Sequence, residues 1–416
     1  MVYRDRIVDQ ELAARLRATG AVVVEGPKAC GKTATARRIA ASEVLLDVDI
    51  AARQAVALDP ALVLDGPTPR LIDEWQLEPA IWNHVRRAVD DRGQPGQFIL
   101  TGSAVPTDDI TRHTGAGRIT RLRMRPMTLF ETGHTNAAIS LAGLLDGEPA
   151  RAPDPGLTVP DLVERVARGG WPGLQDLPLG EALRATRDYL DEIRRVDVSR
   201  VDGARRDPAR VGRLVHALAR NVATYASATT LARDAGGDGD SLKDDTVRRY
   251  LDILERLLIV EDQPAWAPHL RSKSTLRRGR KRHFVDPSLA VAALRATPDR
   301  LLRDLNLLGF LFESLVVRDL RVYAQASDGH VLQYRDNVGL EVDAIVETAD
   351  GRWAAFEVKL GPGQIDAGAA TLRRFADRVD PSRIGQPAAL GVIVGFGYGY
   401  VREDGVAVIP IGALSP

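Results

Sequence analysis

One cysteine, Cys30, occurs in 416 residues, which excludes an intramolecular disulfide and fits a reducing compartment. Aromatic residues make up only 5%, and the 56 basic and 56 acidic side chains leave no net charge. That balance removes any bulk attraction for nucleic acid, so such affinity must come from local clustering. No apolar run approaches the length of a membrane span. The charged start MVYRDRIVDQ lacks the apolar core of a secretory signal, so a cytoplasmic location is expected. The remaining composition, 44% apolar and 27% charged, is that of an ordinary globular chain long enough for two or three domains.

What is present is organised around Gly26–Thr33, GPKACGKT. The apolar run Ala21–Val24 precedes it and a helix-like segment, Ala34–Ala41, follows. Strand, glycine-bounded loop, Gly-Lys-Thr and helix is the context of a phosphate-binding loop. Gly26 and Gly31 permit the tight turn. The loop Gly26, Pro27, Lys28, Ala29, Cys30, Gly31, Lys32, Thr33 and Ala34 would surround a polyphosphate at the helix N-terminus, every residue but Pro27 carrying a backbone N–H. Lys32 would reach the β/γ-phosphates and Thr33 would offer its hydroxyl to Mg²⁺. The alternative is a chance glycine turn before a helix.

Residues 1–133 read as alternating strands and helices, which implies a parallel sheet covered on both faces. The strand Arg70–Asp73 ends in two carboxylates. Asp73 would hold the Mg²⁺ shell and Glu74 would orient and deprotonate the attacking water. A third strand, Gln97–Leu100, leads to Thr101-Gly102-Ser103, where Ser103 reads either as a γ-phosphate sensor or as a simple Ser/Gly turn. Arg118, after the pair Gly115 and Gly117, reads as an arginine finger in cis or towards a neighbouring subunit, or as part of a solvated strand face.

GPKACGKT, LIDEWQ, FILTGSA, GAGRI and Pro126–Glu131, in this order and spacing, resemble the AAA-type ATPases of a prokaryotic family whose members carry a C-terminal domain of unknown function. Gly169-Gly170-Trp171-Pro172 extends the resemblance. It implies ATP and Mg²⁺ as cofactors. The chain departs from the family at Lys28-Ala29-Cys30, where Arg-Gln-Val is frequent; only side chains change there, so backbone binding of phosphate should survive. Cys30 reads as a small buried filler, or as a redox-sensitive thiol.

Residues 134–204 read as a Gly/Ala/Pro-rich surface linker followed by a helical lid, Glu181–Val198, offering Arg184, Arg187, Arg194 and Arg195 to the γ-phosphate. Residues 205–270 follow the order of a winged helix: helices at Val211–Thr224, Ser227–Ala235 and Asp244–Leu258, the last capped by Asp245, then a short strand pair at Ile259–Gln263 and Trp266. Thr246, Arg248 and Arg249 would lie where DNA contacts are made, although such elements also serve only to pack domains. Within residues 271–300, Arg271, Lys273, Arg277, Arg278, Arg280, Lys281 and Arg282 form the densest basic cluster. It reads as a phosphate-neutralising, salt-sensitive patch or as a solvated loop.

Residues 301–416 begin with one long helix, Leu301–Tyr323, in which Glu313 is an apolar-face carboxylate that needs a partner or a metal. Three strands follow, with a turn at Asp350-Gly351. Alternation puts Glu357 and Lys359 on one face, beside Asp343. Glu313, Asp343 and Glu357 would bind Mg²⁺, with Lys359 positioning a water against a phosphodiester; Gln364 lies nearby. The order Glu…Asp…Glu-x-Lys resembles the PD-(D/E)XK nuclease superfamily, which implies a nuclease fold, either cleaving or kept for binding. The expected protein is therefore α/β and multidomain: a P-loop AAA-type ATPase, a winged-helix middle and a nuclease-like end, acting on nucleic acid, in the first place DNA, and capable of homo-oligomerisation. The alternative is an ATP-driven regulatory switch whose C-terminal domain binds a partner without cleavage.

Overall fold

The computed structural model describes residues 3–103, 114–199, 207–236, 242–267 and 279–416. Arg271, Lys273, Arg277 and Arg278 of the basic cluster, and the glycine-rich break after Gly236, lie outside the described residues. Among the described residues no helix is long and apolar enough to cross a membrane.

The N-terminal sheet has five strands: β1 Ala21–Glu25, β2 Ser42–Leu45, β3 Arg70–Asp73, β4 Phe98–Gly102 and β5 Ile119–Arg123. All pairings are parallel, in the order β2-β3-β4-β1-β5. The central strands are largely apolar because both faces are covered; Val22, Val23, Ile99 and Leu100 are completely buried. Strand β4 lies between β1 and β3, so three strand ends, not two, meet beside the phosphate loop.

The segment expected to be a surface linker is anchored instead. Strand β6, Ile139–Ser140, pairs in parallel with β13, Leu414–Ser415, at the far end of the sequence. Ala152 bridges Gly399. Apolar residues at 139, 141, 144 and 145 are buried there, and their burial against the C-terminal region, not the local Pro/Gly content, determines the placement.

In the middle, helices Pro208–Arg220, Ala228–Asp234 and Asp244–Arg256 pack together. The third begins one residue before Asp245, so Asp245 sits within the first turn, facing the helix dipole, and caps nothing. The strand pair also differs from expectation. Residues 259–263 pair antiparallel with 281–285, through Val285 N to Ile259 O (2.9 Å), Glu261 N to His283 O (2.9 Å) and Gln263 N to Lys281 O (2.8 Å). Arg282 continues the ladder to Thr224. Trp266 instead donates its backbone N–H to Gln333 O at 2.7 Å, joining the C-terminal sheet.

That sheet is mixed, in the order β11-β12-β10-β9-β8-β7. Its strands are β7 Gly329–Arg335, β8 Glu341–Thr348, β9 Trp353–Lys359, β10 Ala389–Val394, β11 Tyr400–Val401 and β12 Ala407–Pro410. The expected single helix from Leu301 is broken: Asp304 accepts from Leu307 N at 3.0 Å and caps a new helix, Leu305–Ala326. This long helix packs against β7, β8 and β9. It also holds the N-terminal unit, because Asp319 accepts from Leu129 N (3.0 Å) while Arg318 spans Asp319 and Asp286 (2.7 and 2.8 Å). Asp286 in turn accepts from Gly170 N at 2.9 Å, and Trp171 donates to Ser288 Oγ at 2.9 Å. Pro126–Glu131 and the Gly-Gly-Trp-Pro segment thus join the units.

Candidate nucleotide site and C-terminal acidic cluster

The loop after β1 bends where side chains cannot follow. A Cβ on Gly26 would lie 2.4 Å from Met124 O, and Gly31 has φ +106°; both positions are therefore restricted to glycine. Cys30 is fully buried beneath the loop, as a filler would be. Its carbonyl accepts from Arg6 (2.8 Å), whose guanidinium also binds Glu131 (2.9 Å) and Arg125 O (2.7 Å). Arg6 is a buried anchor that sequence reading missed, since its partners are distant in the chain.

Lys32 lies across the loop, donating to Gly26 O (3.0 Å) and Pro27 O (2.9 Å). Thr33 donates to Asp73 Oδ1 at 2.8 Å, and Thr101 of β4 donates to the same oxygen. A hydroxyl and a buried carboxylate side by side are hard oxygen donors suited to Mg²⁺. Glu74 has a left-handed backbone, φ 53°, which is uncommon for a non-glycine residue and concentrates at functional sites. Ser103 donates to Glu74 Oε2 at 3.0 Å, and Gln76 donates to the same oxygen. Gln76 and Thr101 are residues the motif reading did not assign; the insertion of β4 brings Thr101 there.

Arg118 does not reach this site. It precedes Ile119, which is in register with Ala21, at the opposite end of β1 from the loop, and it pairs with Asp90 at 2.7 Å. A cis finger is thereby corrected: five strand residues separate Arg118 from the phosphate loop. From the lid, helix Leu179–Glu192 with its wider continuation Ile193–Asp197, the contact to the loop is an acid, not an arginine: Lys28 pairs with buried Asp197 at 2.6 Å. Arg184 and Arg187 bond carbonyls of their own helix, and Arg194 pairs with Asp191.

In the C-terminal unit, Glu313, Asp343, Glu357 and Lys359 do converge. Asp343 accepts from Val358 N at 3.0 Å, and Lys359 reaches Glu357 (2.6 Å) and Asp343 (3.5 Å). A cavity of about 720 Å³ opens beside them, lined also by Phe310, Phe396 and Gln364. A fifth residue completes the cluster. Lys281, from the 281–285 strand, donates to Glu313 and to Asp343 Oδ1 (3.0 Å). Lys281 is 4% exposed. Gln263 fixes it there, pairing with its backbone and donating to Asp343 O at 2.9 Å. Burial, then Asp343, pushes Glu313 and Glu357 up to about 8. Against its own desolvation, Asp343 is held down at about 2 by Lys281 and Lys359.

These residues do not fit a divalent cation. Two ammonium groups already stand among the three carboxylates: Lys281 occupies Glu313 Oε1 and Asp343 Oδ1, and Lys359 faces Glu357 Oε2 and Asp343 Oδ2. No metal-compatible group of three such ligands occurs among the described residues. Sequence reading placed Lys281 in a basic linker; what it lacked was the long-range strand pairing.

Comparison with known proteins gives three family matches, none spanning half the chain. Residues 18–133 match an AAA domain, 159–300 a domain of unknown function (DUF8612) and 308–414 another (DUF4143). No curated protein matches. Among solved structures, the chain is similar to the Walker-type ATPase PABY2304 of Pyrococcus abyssi at 13% identity and a TM-score of 0.43, over 70% of this chain and 96% of that one. The N-terminal part of the chain, which carries the phosphate loop, is thus similar to AAA-type domains.

Proposed function

We propose that the chain is a Mg²⁺-dependent ATPase acting on nucleic acid, with hydrolysis coupled to its C-terminal nuclease-like module. The observation that carries this reading is the placement of Lys32, Thr33, Asp73 and Glu74 at the carboxyl ends of the interior strands β1 and β3, with Thr33 bonded to Asp73. The loop backbone and Lys32 would bind the phosphates of ATP. Thr33 and Asp73 would hold Mg²⁺, which when bound with ATP neutralises phosphate charge. Glu74 would orient a water and accept its proton; Ser103 would serve it by holding one carboxylate oxygen. Arg118 retains a role only towards a neighbouring subunit of a homo-oligomer. Measuring ATP hydrolysis by the purified chain and by Lys32→Ala tests the reading; equal turnover would overturn it.

The three middle helices and the 259–263/281–285 pair support a winged helix. Its Arg248 and Arg249, together with the basic segment, are the reading's DNA-contacting candidates. For the C-terminal module a specific observation favours the second reading, binding without cleavage: the ammonium of Lys281 stands between Glu313 and Asp343. A Mg²⁺- and ATP-supplemented cleavage assay on single-stranded, duplex and branched DNA separates the two. Metal-dependent cutting abolished by Asp343→Ala would restore the nuclease reading.

A further inference from the structure

Between edge strand β5 and the long helix lies a second cavity, of about 390 Å³, richer in guanidinium than in carboxylate. Arg121 and Arg123 come from β5, Arg125 follows it, and Arg321 comes from the helix. Arg121 is paired with Glu25 and, at the rim, Arg15 with Glu11. Asp262 is committed to Arg282. Asp328 also lines the cavity but is exposed and makes no ion pair with these arginines, so Glu261 is left facing three guanidinium groups. Arg125 holds it through two bonds, at 2.6 and 2.9 Å. Arg321 approaches it at 3.7 Å and Arg123 at 4.0 Å. The Nε of Arg123 is buried without a hydrogen-bond partner. Arg321 is 7% exposed, and burial lowers it to about 10 while Glu261, Arg125 and Arg123 act on it in turn.

Buried charge is costly unless compensated, and here one carboxylate serves three cations. The planar guanidinium fork matches phosphate oxygens in pairs. The volume is that of a small-ligand pocket. We infer that this cavity binds a phosphate group, gripped by Arg123 and Arg321 while Glu261 keeps Arg125 in place. Its source is either a free phosphate compound or a phosphodiester of a nucleic-acid strand, the latter resting on the nucleic-acid reading above. Such a ligand would tie the edge of the N-terminal sheet to the helix that carries Glu313.

The test uses the full chain carrying Lys32→Ala, which weakens the phosphate loop as a competing site, and the deciding arginine variants leave that loop untouched, so failure of the ATPase reading does not enter. Pyrophosphate, and separately a short single-stranded oligonucleotide, are titrated calorimetrically at fixed ionic strength. Binding is expected, weakened about tenfold or more by Arg123→Gln with Arg321→Gln, and less by Arg321→Lys, which keeps the charge and folds with smaller disturbance. Glu261→Gln should strengthen binding, because the competing carboxylate is gone; equal or weaker binding would count against the site. An oligonucleotide that displaces pyrophosphate identifies the strand as source, and pyrophosphate binding alone identifies a free phosphate compound. Absence of binding by either probe, or binding indifferent to both arginine variants, overturns the inference.

Discussion

The Lys281 ammonium lies 3.0 Å from Asp343 Oδ1 and also touches Glu313, so a residue of the middle unit pairs with two acids of the C-terminal unit. Removing one partner of a buried ion pair leaves the other charge uncompensated. Lys281→Met should therefore cost about 3–5 kcal/mol, read as a fall in the urea midpoint, with the near-ultraviolet spectrum checked for retained packing. A change below about 1 kcal/mol would mean that the ion pair is dispensable.

The same cluster predicts a pH dependence. Glu313 and Glu357 are raised from 4.5 to about 8, so the folded state holds more protons than the unfolded chain between those values. Their contribution is fully present below about 4.5 and is lost as pH rises through about 8. Asp343, lowered from 3.8 to about 2, acts in the opposite sense and only below about pH 4. The melting temperature should thus decline between about pH 5 and 8, and Glu313→Gln with Glu357→Gln should flatten the decline. An unchanged slope would contradict it.

At the phosphate loop, Lys32→Ala should abolish ATP binding. Glu74→Gln should leave binding intact and lower turnover by about 10²–10⁴-fold, the range for a positioned general base. Nucleotide binding by fluorescence and phosphate release, measured on the same samples, separate the two effects. Normal hydrolysis by both variants would remove the assignment.

Arg318, flanked by Asp286 and Asp319 and 3% exposed, joins the units. Arg318→Met should cost about 3–5 kcal/mol, because two buried carboxylates lose their cation. Arg318→Met with both acids changed to Asn should recover much of that loss. Failure of the triple change to recover stability would show that the arginine stem, not its charge, matters.

The logarithm of the nucleic-acid binding constant supplied by the basic segment should fall linearly with the logarithm of salt concentration. Neutralising Arg277, Arg278 and Arg280 should reduce that slope by about one for each phosphate that is no longer neutralised. A salt-independent affinity would point away from this segment.

The local chemistry could be read from the chain. GPKACGKT after an apolar run has few other uses, because glycines, lysine and threonine at that spacing answer the geometric demands of a phosphate. Alternation in Trp353–Lys359 likewise sets Glu357 and Lys359 on one face, as the sheet has them. Such features depend on neighbours within a few residues, and sequence determines those. The tertiary structure decided what lies far apart in the chain: Thr101 on Asp73, Arg118 at the wrong end of the sheet, β6 paired with β13, and three arginines around Glu261. Lys281 is the clearest instance. In sequence it is one of seven basic residues in a row of twelve. Only its strand pairing with Gln263, from another part of the chain, carries it into the acidic cluster where its charge has a partner.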